Sequence, residues 1–152
     1  VVCAAATAGT AAGLARVLDQ DISLHAVSVL HAGQSIQQMF LQQASAMRCK
    51  LNVVRGYEHG GYAKSSRELH RFVAEFEKNT RIPVEPVYTG KALFALYDMI
   101  ARGAFARGSR IVFVHTGGLQ GRRKLERNAD VHGPYPEELQ AAVPLKPTGT
   151  AP

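Results

Sequence analysis

The sequence predicts a three-layer αβα domain with a largely parallel sheet. Strand-like apolar segments alternate with helix-like segments through most of the chain. Hydrophobic residues make up 46% of the sequence and charged residues 20%, which is typical of a packed core. A chain of 152 residues has the length of one ordinary domain. We therefore expect one layered domain over residues 1–121, followed by a short tail.

The first part of the chain predicts two strands that flank a helix. The apolar run 1–6 predicts a buried strand, and the spacing of apolar residues over 11–18 predicts a helix after it. A second strand is expected over 22–30, which is rich in β-branched residues. A helix should follow over 35–47. The apolar residues that we expect to face inward from this helix are Ile36, Phe40 and Met47.

The middle of the chain predicts a strand, a loop and an amphipathic helix. Residues 51–54 form a short apolar run, and residues 55–63 are rich in glycine and tyrosine, as is typical of a loop. Ser65 or Ser66 can cap the helix that follows. The apolar stripe of that helix has the spacing i, i+3, i+4 and i+7, and consists of Leu69, Phe72, Val73 and Phe76.

The last predicted elements are an extended segment, a helix and a strand. Pro83 and Pro86 bracket the extended segment, which leads into a helix over 91–102. The apolar face of this helix is expected to comprise Leu93, Leu96, Tyr97 and Ile100. A strand over 110–114 then ends at a turn with two glycines. Over 122–152 the periodicity is lost and prolines accumulate, so we predict a loosely packed tail.

Composition restricts the classes of partner. The formal net charge is +6, but the basic residues are scattered and lack the interleaved aromatics of a nucleic-acid surface, so a small anion such as phosphate is favoured. Cys3 and Cys49 lack the spacing of a zinc site, so we expect reduced thiols and no metal. No run approaches the roughly 20 apolar residues of a membrane span, which predicts a soluble, cytosolic protein.

The turn formed by Thr7, Ala8, Gly9 and Thr10 lies between a predicted strand and the start of a predicted helix. The backbone N–H groups at a helix N-terminus and the helix dipole favour an anion there. Small residues allow a phosphate to approach the backbone, and two threonine hydroxyls can donate to it. The same residues also suit a plain tight turn, since the full glycine spacing of a dinucleotide motif is missing.

Two further turns, predicted to connect a strand to a helix, carry hydroxyl groups. Tyr88 and Thr89 precede a predicted helix, and Thr116 lies in the turn 115–118. Ligands of open α/β sheets gather at the carboxyl ends of strands. A phenol at position 88 could stack on a flat ring or move a proton, or it could be a core tyrosine with its hydroxyl in water.

At this point the residues resemble a known family. The segments 87–92 (Val-Tyr-Thr-Gly-Lys-Ala) and 112–118 (Val-Phe-Val-His-Thr-Gly-Gly) are similar to the C-terminal signature of the D-cysteine desulfhydrase and 1-aminocyclopropane-1-carboxylate deaminase family. Residues 7–14 resemble that family's phosphate loop and helix. The resemblance covers about residues 1–121. It implies the C-terminal part of the large domain of a fold type II pyridoxal-phosphate enzyme, similar to the tryptophan synthase β subunit, and a homodimer.

The resemblance also implies roles for single residues. The turn 7–10 would bind the phosphate of pyridoxal 5'-phosphate. Tyr62 and Tyr88 match two active-site tyrosines that lie around the ring and the substrate. Thr89 and Thr116 match the pair that faces the cofactor ring, where the deaminase branch has a glutamate and a leucine. A carboxylate beside the pyridine nitrogen keeps it protonated, whereas a hydroxyl leaves it largely neutral and the ring a weaker electron sink.

The two threonines therefore favour D-cysteine desulfhydrase activity. This reaction is a β-elimination that gives pyruvate, hydrogen sulfide and ammonia, and it needs less electron withdrawal than the opening of a cyclopropane ring. The alternative within the family is a 1-aminocyclopropane-1-carboxylate deaminase. An alternative of another class is a non-catalytic phosphate-binding or assembly module.

Two departures from the family pattern bear on activity. Ala6 and Ala8 stand where the family loop has more glycine. The family's Schiff-base lysine lies in its N-terminal half, and nothing here matches its motif; for Lys64 and Lys91 we expect surface or supporting roles. The sequence also starts at Val1, without Met, inside the first predicted strand. We therefore expect a fragment that is inactive without a missing N-terminal part.

Overall fold

The computed structural model describes residues 1–30 and 47–119, together with Gln38 and Phe40. The boundary predicted after residue 121 and the tail 122–152 lie outside the described residues, as does most of the helix predicted over 35–47. Gln38 and Phe40 are helical, and Phe40 is buried as predicted. Met47 lies in no helix and is exposed, so its predicted inward orientation is wrong.

Four parallel strands form the described sheet, in the order β3-β2-β1-β4. They are β1 (Val2–Ala5), β2 (Ser23–Ser28), β3 (Lys50–Val54) and β4 (Phe113–Val114). The chain moves outward from β1 through β2 to β3 and then returns to the other side of β1. The pair β1 and β4 is therefore the point at which the strand order reverses, and ligands of open α/β sheets bind beside such a point.

Three helices are described. The first is α1 (Gly9–Val17), the second α2 (Arg67–Thr80) and the third α3 (Thr89–Ala101). Ser66 is the N-cap of α2, since its hydroxyl accepts a hydrogen bond from the N–H of Leu69 at 3.1 Å. The stripe predicted for α2 is confirmed, because Leu69, Phe72, Val73 and Phe76 are all buried. Within the described residues, no helix has the length and apolar character needed to cross a bilayer.

Both faces of the sheet are covered, which explains the run of small and apolar residues in β1. Val2 packs in one cluster with α2 and α3, whereas Cys3 and Ala5 pack in a second cluster with α1. Side chains alternate between faces along a strand, so the two clusters lie on opposite sides. The three predicted layers and the parallel sheet are thus confirmed for the described residues.

The α1 face is packed through small side chains. Ala11, Ala12 and Ala15 are buried against β1 and β2, which allows the helix to approach the sheet closely. Cys3 and Cys49 lie in the same cluster as free, buried thiols. Burial raises the pKa of Cys3 to about 11, so this thiol is protonated and packs as an apolar group.

Two predicted details of the α3 side are wrong. Residues 82–85 do not join the described sheet, so the segment before Tyr88 is not a strand. Ile100, predicted to face the core, is 49% exposed near the end of α3. Leu93 and Leu96 are buried as predicted, and Ala92 and Ala95 complete the core side of this helix.

Candidate cofactor site

The turn from β1 to α1 leaves a helix N-terminus open at the carboxyl edge of the sheet. Thr7, Gly9 and Thr10 are exposed, and α1 begins at Gly9. The N-cap residue Ala8 gives no side-chain hydrogen bond, and the first turn of α1 has no acidic residue. The first N–H groups of a helix have no acceptor within it, so this end favours an anion supplied from outside.

Ala8 explains how the turn presents these groups. Its backbone is left-handed, with φ 62° and ψ −6°, and its side chain is buried. This conformation suits glycine, because a Cβ atom crowds the following carbonyl. Ala8, one of the two positions at which the family loop has more glycine, thus has a backbone conformation that favours glycine. The buried methyl group keeps the outer surface of the turn open.

The residues of this turn fit a phosphate group. A phosphate needs several N–H and O–H donors without a competing carboxylate, and the donors here are the helix N-terminus and two threonine hydroxyls. The turn also lies beside the reversal of strand order between β1 and β4. Both properties fit the phosphate site predicted for the turn 7–10, while the role of these residues stays a prediction.

The turn after β4 is held against the segment that precedes α3. His115 Nε2 lies 2.9 Å from the carbonyl oxygen of Pro83, and its Nδ1 accepts from the N–H of Gly117 at 3.1 Å. Because a carbonyl can only accept, Nε2 carries the proton. Thr116, between these two residues, is exposed. Its hydroxyl is therefore presented at the same edge of the sheet as the β1–α1 turn.

The N-terminus of α3 is closed by the side chain of Glu85, which is completely buried. Its carboxylate accepts from the N–H groups of Val87 at 2.5 Å, Tyr88 at 2.9 Å and Thr89 at 2.6 Å. A Cβ atom on Gly118 would lie 3.2 Å from the Cγ atom of Glu85. The turn after β4 therefore packs directly on this carboxylate.

Thr89 does not have the open position that the resemblance implies. Its side chain is completely buried, and its hydroxyl donates to Glu85 Oε1 at 3.0 Å. The hydroxyl turns inward because the buried carboxylate needs donors. A contact between Thr89 and a cofactor ring stays a prediction, and this geometry does not support it.

The two predicted active-site tyrosines come together in the structure. The ring centroids of Tyr62 and Tyr88 are 6.3 Å apart, although 26 positions separate them in the sequence. Tyr62 is 68% exposed and Tyr88 is half-buried. Burial, followed by a hydrogen bond to Tyr62, raises the pKa of Tyr88. The Tyr88 phenol thus keeps its proton at neutral pH and can donate a hydrogen bond.

Lys91, three positions after Tyr88, is completely buried. Of the two roles expected for it, the surface role is therefore wrong, and the supporting role stays a prediction. The Lys91 Nζ atom donates to the carbonyl oxygens of Glu58 at 2.6 Å, Gly61 at 2.7 Å and Val29 at 3.3 Å. The three acceptors match the three donors of an ammonium group. Lys64, by contrast, is exposed as expected.

Sequence reasoning missed the role of Glu85. The signal was available, because this acidic residue interrupts an otherwise apolar and proline-containing stretch, 82–88. A charged residue in such a stretch is either exposed or buried with partners. In this case the partners are backbone N–H groups, which leave no trace in a sequence.

Comparisons with known proteins agree with this geometry. The profile of the pyridoxal-phosphate dependent enzyme family matches residues 1–117. The chain belongs to this family. Its fold is also similar to the crystal structure of an ACC deaminase homologue, with a TM-score of 0.73 and 27% identity over 86% of this chain and 43% of the other.

Curated relatives place the chain more narrowly within the family. A D-cysteine desulfhydrase of Klebsiella pneumoniae is 36% identical over 129 residues, which cover 78% of this chain and 39% of the relative. A bifunctional D-cysteine desulfhydrase/1-aminocyclopropane-1-carboxylate deaminase of Arabidopsis thaliana is 34% identical over 89 residues, or 57% of this chain and 22% of the relative. The predicted family and fold are confirmed, and the chain spans about two fifths of the length of the Klebsiella relative.

Proposed function

We propose that this chain supplies the cofactor-phosphate site and two active-site tyrosines of a pyridoxal-phosphate-dependent D-cysteine desulfhydrase. The observation that carries the proposal is the open N-terminus of α1 beside the reversal of strand order, in a chain of the pyridoxal-phosphate dependent enzyme family. The reaction would release pyruvate, hydrogen sulfide and ammonia. The homodimer and the cytoplasmic location that we expect are part of the same proposal.

In this proposal the turn 7–10 holds the cofactor phosphate. The N–H groups of the first turn of α1 and the hydroxyls of Thr7 and Thr10 donate to the phosphate oxygens. When bound, pyridoxal phosphate supplies an electron-withdrawing ring that acidifies the Cα–H bond of an amino acid. The lysine that carries the cofactor is expected outside the described residues, since the Lys91 ammonium is already bonded to three carbonyls.

The tyrosine pair would act on the substrate as a proton donor. Tyr62 is the more exposed of the two, so its Oη atom can reach a bound amino acid. Burial and the hydrogen bond to Tyr62 raise the pKa of Tyr88, which keeps this phenol protonated. We assign to the pair the donation of a hydrogen bond to the sulfur atom of D-cysteine as hydrosulfide leaves.

The choice of desulfhydrase over deaminase rests on Thr116. Its exposed hydroxyl follows β4 at the carboxyl edge of the sheet. The family resemblance implies a leucine at this position in the deaminase branch. Position 89 carries no carboxylate that could keep the pyridine nitrogen protonated, and a weaker electron sink is sufficient to expel a good leaving group. The bifunctional Arabidopsis relative and the ACC deaminase homologue support the deaminase as the second candidate.

Two assays on the complete protein test the substrate. We expect sulfide release from D-cysteine in the presence of pyridoxal phosphate, and little 2-oxobutyrate from 1-aminocyclopropane-1-carboxylate. Activity in the second assay alone would show that the deaminase is the correct assignment. Activity in neither assay, with a folded protein, would favour the non-catalytic module.

A titration of this chain with inorganic phosphate tests the phosphate site separately. We expect the amide resonances of Gly9 and Thr10 to shift in a saturable way. Thr10→Ala should weaken binding about tenfold, because it removes one hydrogen bond to a charged group. Ser109→Ala, an exposed residue in the turn before β4, is the matched control and should leave affinity unchanged. Equal affinities for both variants would contradict the proposed site.

A further inference from the structure

The ammonium group of Lys91 joins three segments that are distant in the sequence. Val29 directly follows β2, Glu58 and Gly61 lie in the loop after β3, and Lys91 itself is in α3. All three acceptors are backbone carbonyl oxygens. Three such oxygens that point at one buried position repel one another unless a cation lies between them. Within the loop, the Glu58 carbonyl also accepts from the N–H of Gly61 at 2.9 Å, and the Gly61 carbonyl from the N–H of Lys64 at 3.3 Å. The ammonium group adds the contacts that connect these two carbonyls to α3 and to the end of β2.

The loop that carries Tyr62 has an unusual backbone. His59, Gly60, Gly61 and Ala63 all have positive φ values, at 46°, 92°, 101° and 54°. For His59 and Ala63 such values cost energy, so surrounding contacts must maintain them. Lys91 bonds to the carbonyl of Gly61, the peptide group that leads directly into Tyr62. The orientation of this peptide plane fixes where the Tyr62 side chain begins.

Tyr88 is held from the same helix. It is the N-cap residue of α3, three positions before Lys91, and the Glu85 carboxylate accepts its N–H. One end of α3 thus carries Tyr88, and the side chain of Lys91 holds the peptide before Tyr62. The tyrosine rings lie 6.3 Å apart, and Tyr62 is exposed, so few packing contacts hold it there.

We propose that Lys91 is a positioning residue, which holds Tyr62 against Tyr88 through the carbonyl groups of Glu58 and Gly61. Its role in catalysis rests on the proposed function. The placement of the two rings does not, because it is a property of this chain alone. A structural test of the pair therefore gives a result whether or not the desulfhydrase assignment is correct.

Other contacts of the loop make the proposal specific. Tyr57 Oη donates to the Asp98 carboxylate, and His59 Nδ1 pairs with Ser66 Oγ at 2.8 Å. These contacts hold the beginning of the loop and its connection to α2. They do not involve the Gly61–Tyr62 peptide. Loss of Lys91 should therefore release Tyr62 while much of the loop stays attached.

Oxidative cross-linking of tyrosines tests the placement of the rings. Two phenols in contact couple to dityrosine, and mass spectrometry identifies a peptide that joins positions 62 and 88. We expect this product in the unmodified chain and its absence in Tyr62→Phe. Lys91→Met should reduce the yield to the level of Tyr62→Phe, whereas Lys64→Met, an exposed lysine of the same loop, should leave it unchanged. An unchanged yield in folded Lys91→Met would overturn the proposal.

A rescue experiment separates positioning from general loss of structure. Lys91→Ala leaves space for an added n-propylammonium ion, which can bind the three carbonyls. We expect it to restore the cross-link in a saturable way, while the uncharged n-propanol does not. If the variant is folded with the ion bound and the cross-link stays absent, Lys91 does not position Tyr62.

Two further measurements cover the cases in which a variant does not fold and in which the enzyme is active. In the unmodified chain, the Lys91 ammonium protons should exchange slowly with water and show contacts to Gly61 by NMR. Rapid exchange would overturn the proposal.

In the active protein, Lys91→Met should lower kcat about tenfold to a hundredfold, as expected for a misplaced catalytic group, with a smaller change in KM. If Lys91→Met loses the cross-link but the unmodified protein releases no sulfide from D-cysteine, the proposed function is refuted while the positioning role of Lys91 stands.

Discussion

The helices α1 and α3 begin at the same region of the molecule but treat their N-termini in opposite ways. The N-terminus of α1 has no side-chain cap and exposes Thr7, Gly9 and Thr10. The N-terminus of α3 contains the buried carboxylate of Glu85. The same surplus of N–H groups is thus left for an external anion in one helix and neutralised internally in the other. The N-terminus of α1 is therefore suited to bind a ligand, whereas the N-terminus of α3 is part of the protein core.

Removal of the internal anion should have the largest effect. In Glu85→Ala, the N–H groups of three residues and the buried Thr89 hydroxyl lose their acceptor. We expect a loss of about 3–5 kcal/mol in the free energy of unfolding, as for other buried charges whose partners are removed. Urea denaturation monitored by circular dichroism measures it. Glu68→Ala, an exposed residue in the first turn of α2, should cost about 0.5 kcal/mol. Similar losses for both variants would contradict the assigned difference.

Glycine substitutions compare the two helices directly. A Cβ atom at Gly90, in the first turn of α3, would lie 2.6 Å from the Glu85 carbonyl oxygen and 3.0 Å from Val73 Cγ2. We expect Gly90→Ala to destabilise the protein by about 2–3 kcal/mol through this overlap. A Cβ atom at Gly13 in α1 meets nothing within 4 Å, so Gly13→Ala should stabilise by about 0.5–1 kcal/mol. Thermal unfolding gives both values, and the same sign for both would be inconsistent with the structure.

The smallest effect is expected at the open turn itself. Ala8 has a left-handed backbone, so Ala8→Gly relieves strain while it removes a buried methyl group, and we expect a change of no more than about 0.5 kcal/mol. Ala12 is equally buried but lies inside α1. Ala12→Gly should therefore cost at least about 1 kcal/mol. Denaturation midpoints of the two variants test the comparison, and equal costs would show that the strain at Ala8 is negligible.

The elements with a clear hydrophobic period could be predicted from the sequence. The buried run of β1, the alanines of α1 and the stripe of α2 follow rules that depend on neighbouring residues alone. The turn 7–10 could be identified for the same reason, since a strand, small residues and a helix follow one another. The pairing of Tyr62 with Tyr88 was implied only by the family resemblance.

The errors lie where distant residues decide the conformation. The extended segment bracketed by Pro83 and Pro86 predicts a strand before α3. In the structure, however, Glu85 binds the N–H groups of Val87, Tyr88 and Thr89, which leads the chain directly into the helix. Lys91 lies within an apolar helix, and neither its burial nor its acceptors can be inferred without the positions of Val29 and Gly61. Every residue has a backbone carbonyl group, so a sequence pattern cannot indicate which carbonyls will accept hydrogen bonds from a buried lysine.

The buried ammonium also sets an order in which the chain can acquire its structure. Lys91 lies 33 and 30 positions after its loop acceptors and 62 after Val29. During synthesis the Tyr62 loop leaves the ribosome well before the cation that it needs. Closing these long loops costs chain entropy that only the docked α3 can offset. We therefore expect the Tyr62 loop to become ordered only after β1, β2 and α3 have assembled, which makes this pair of tyrosines a late product of folding.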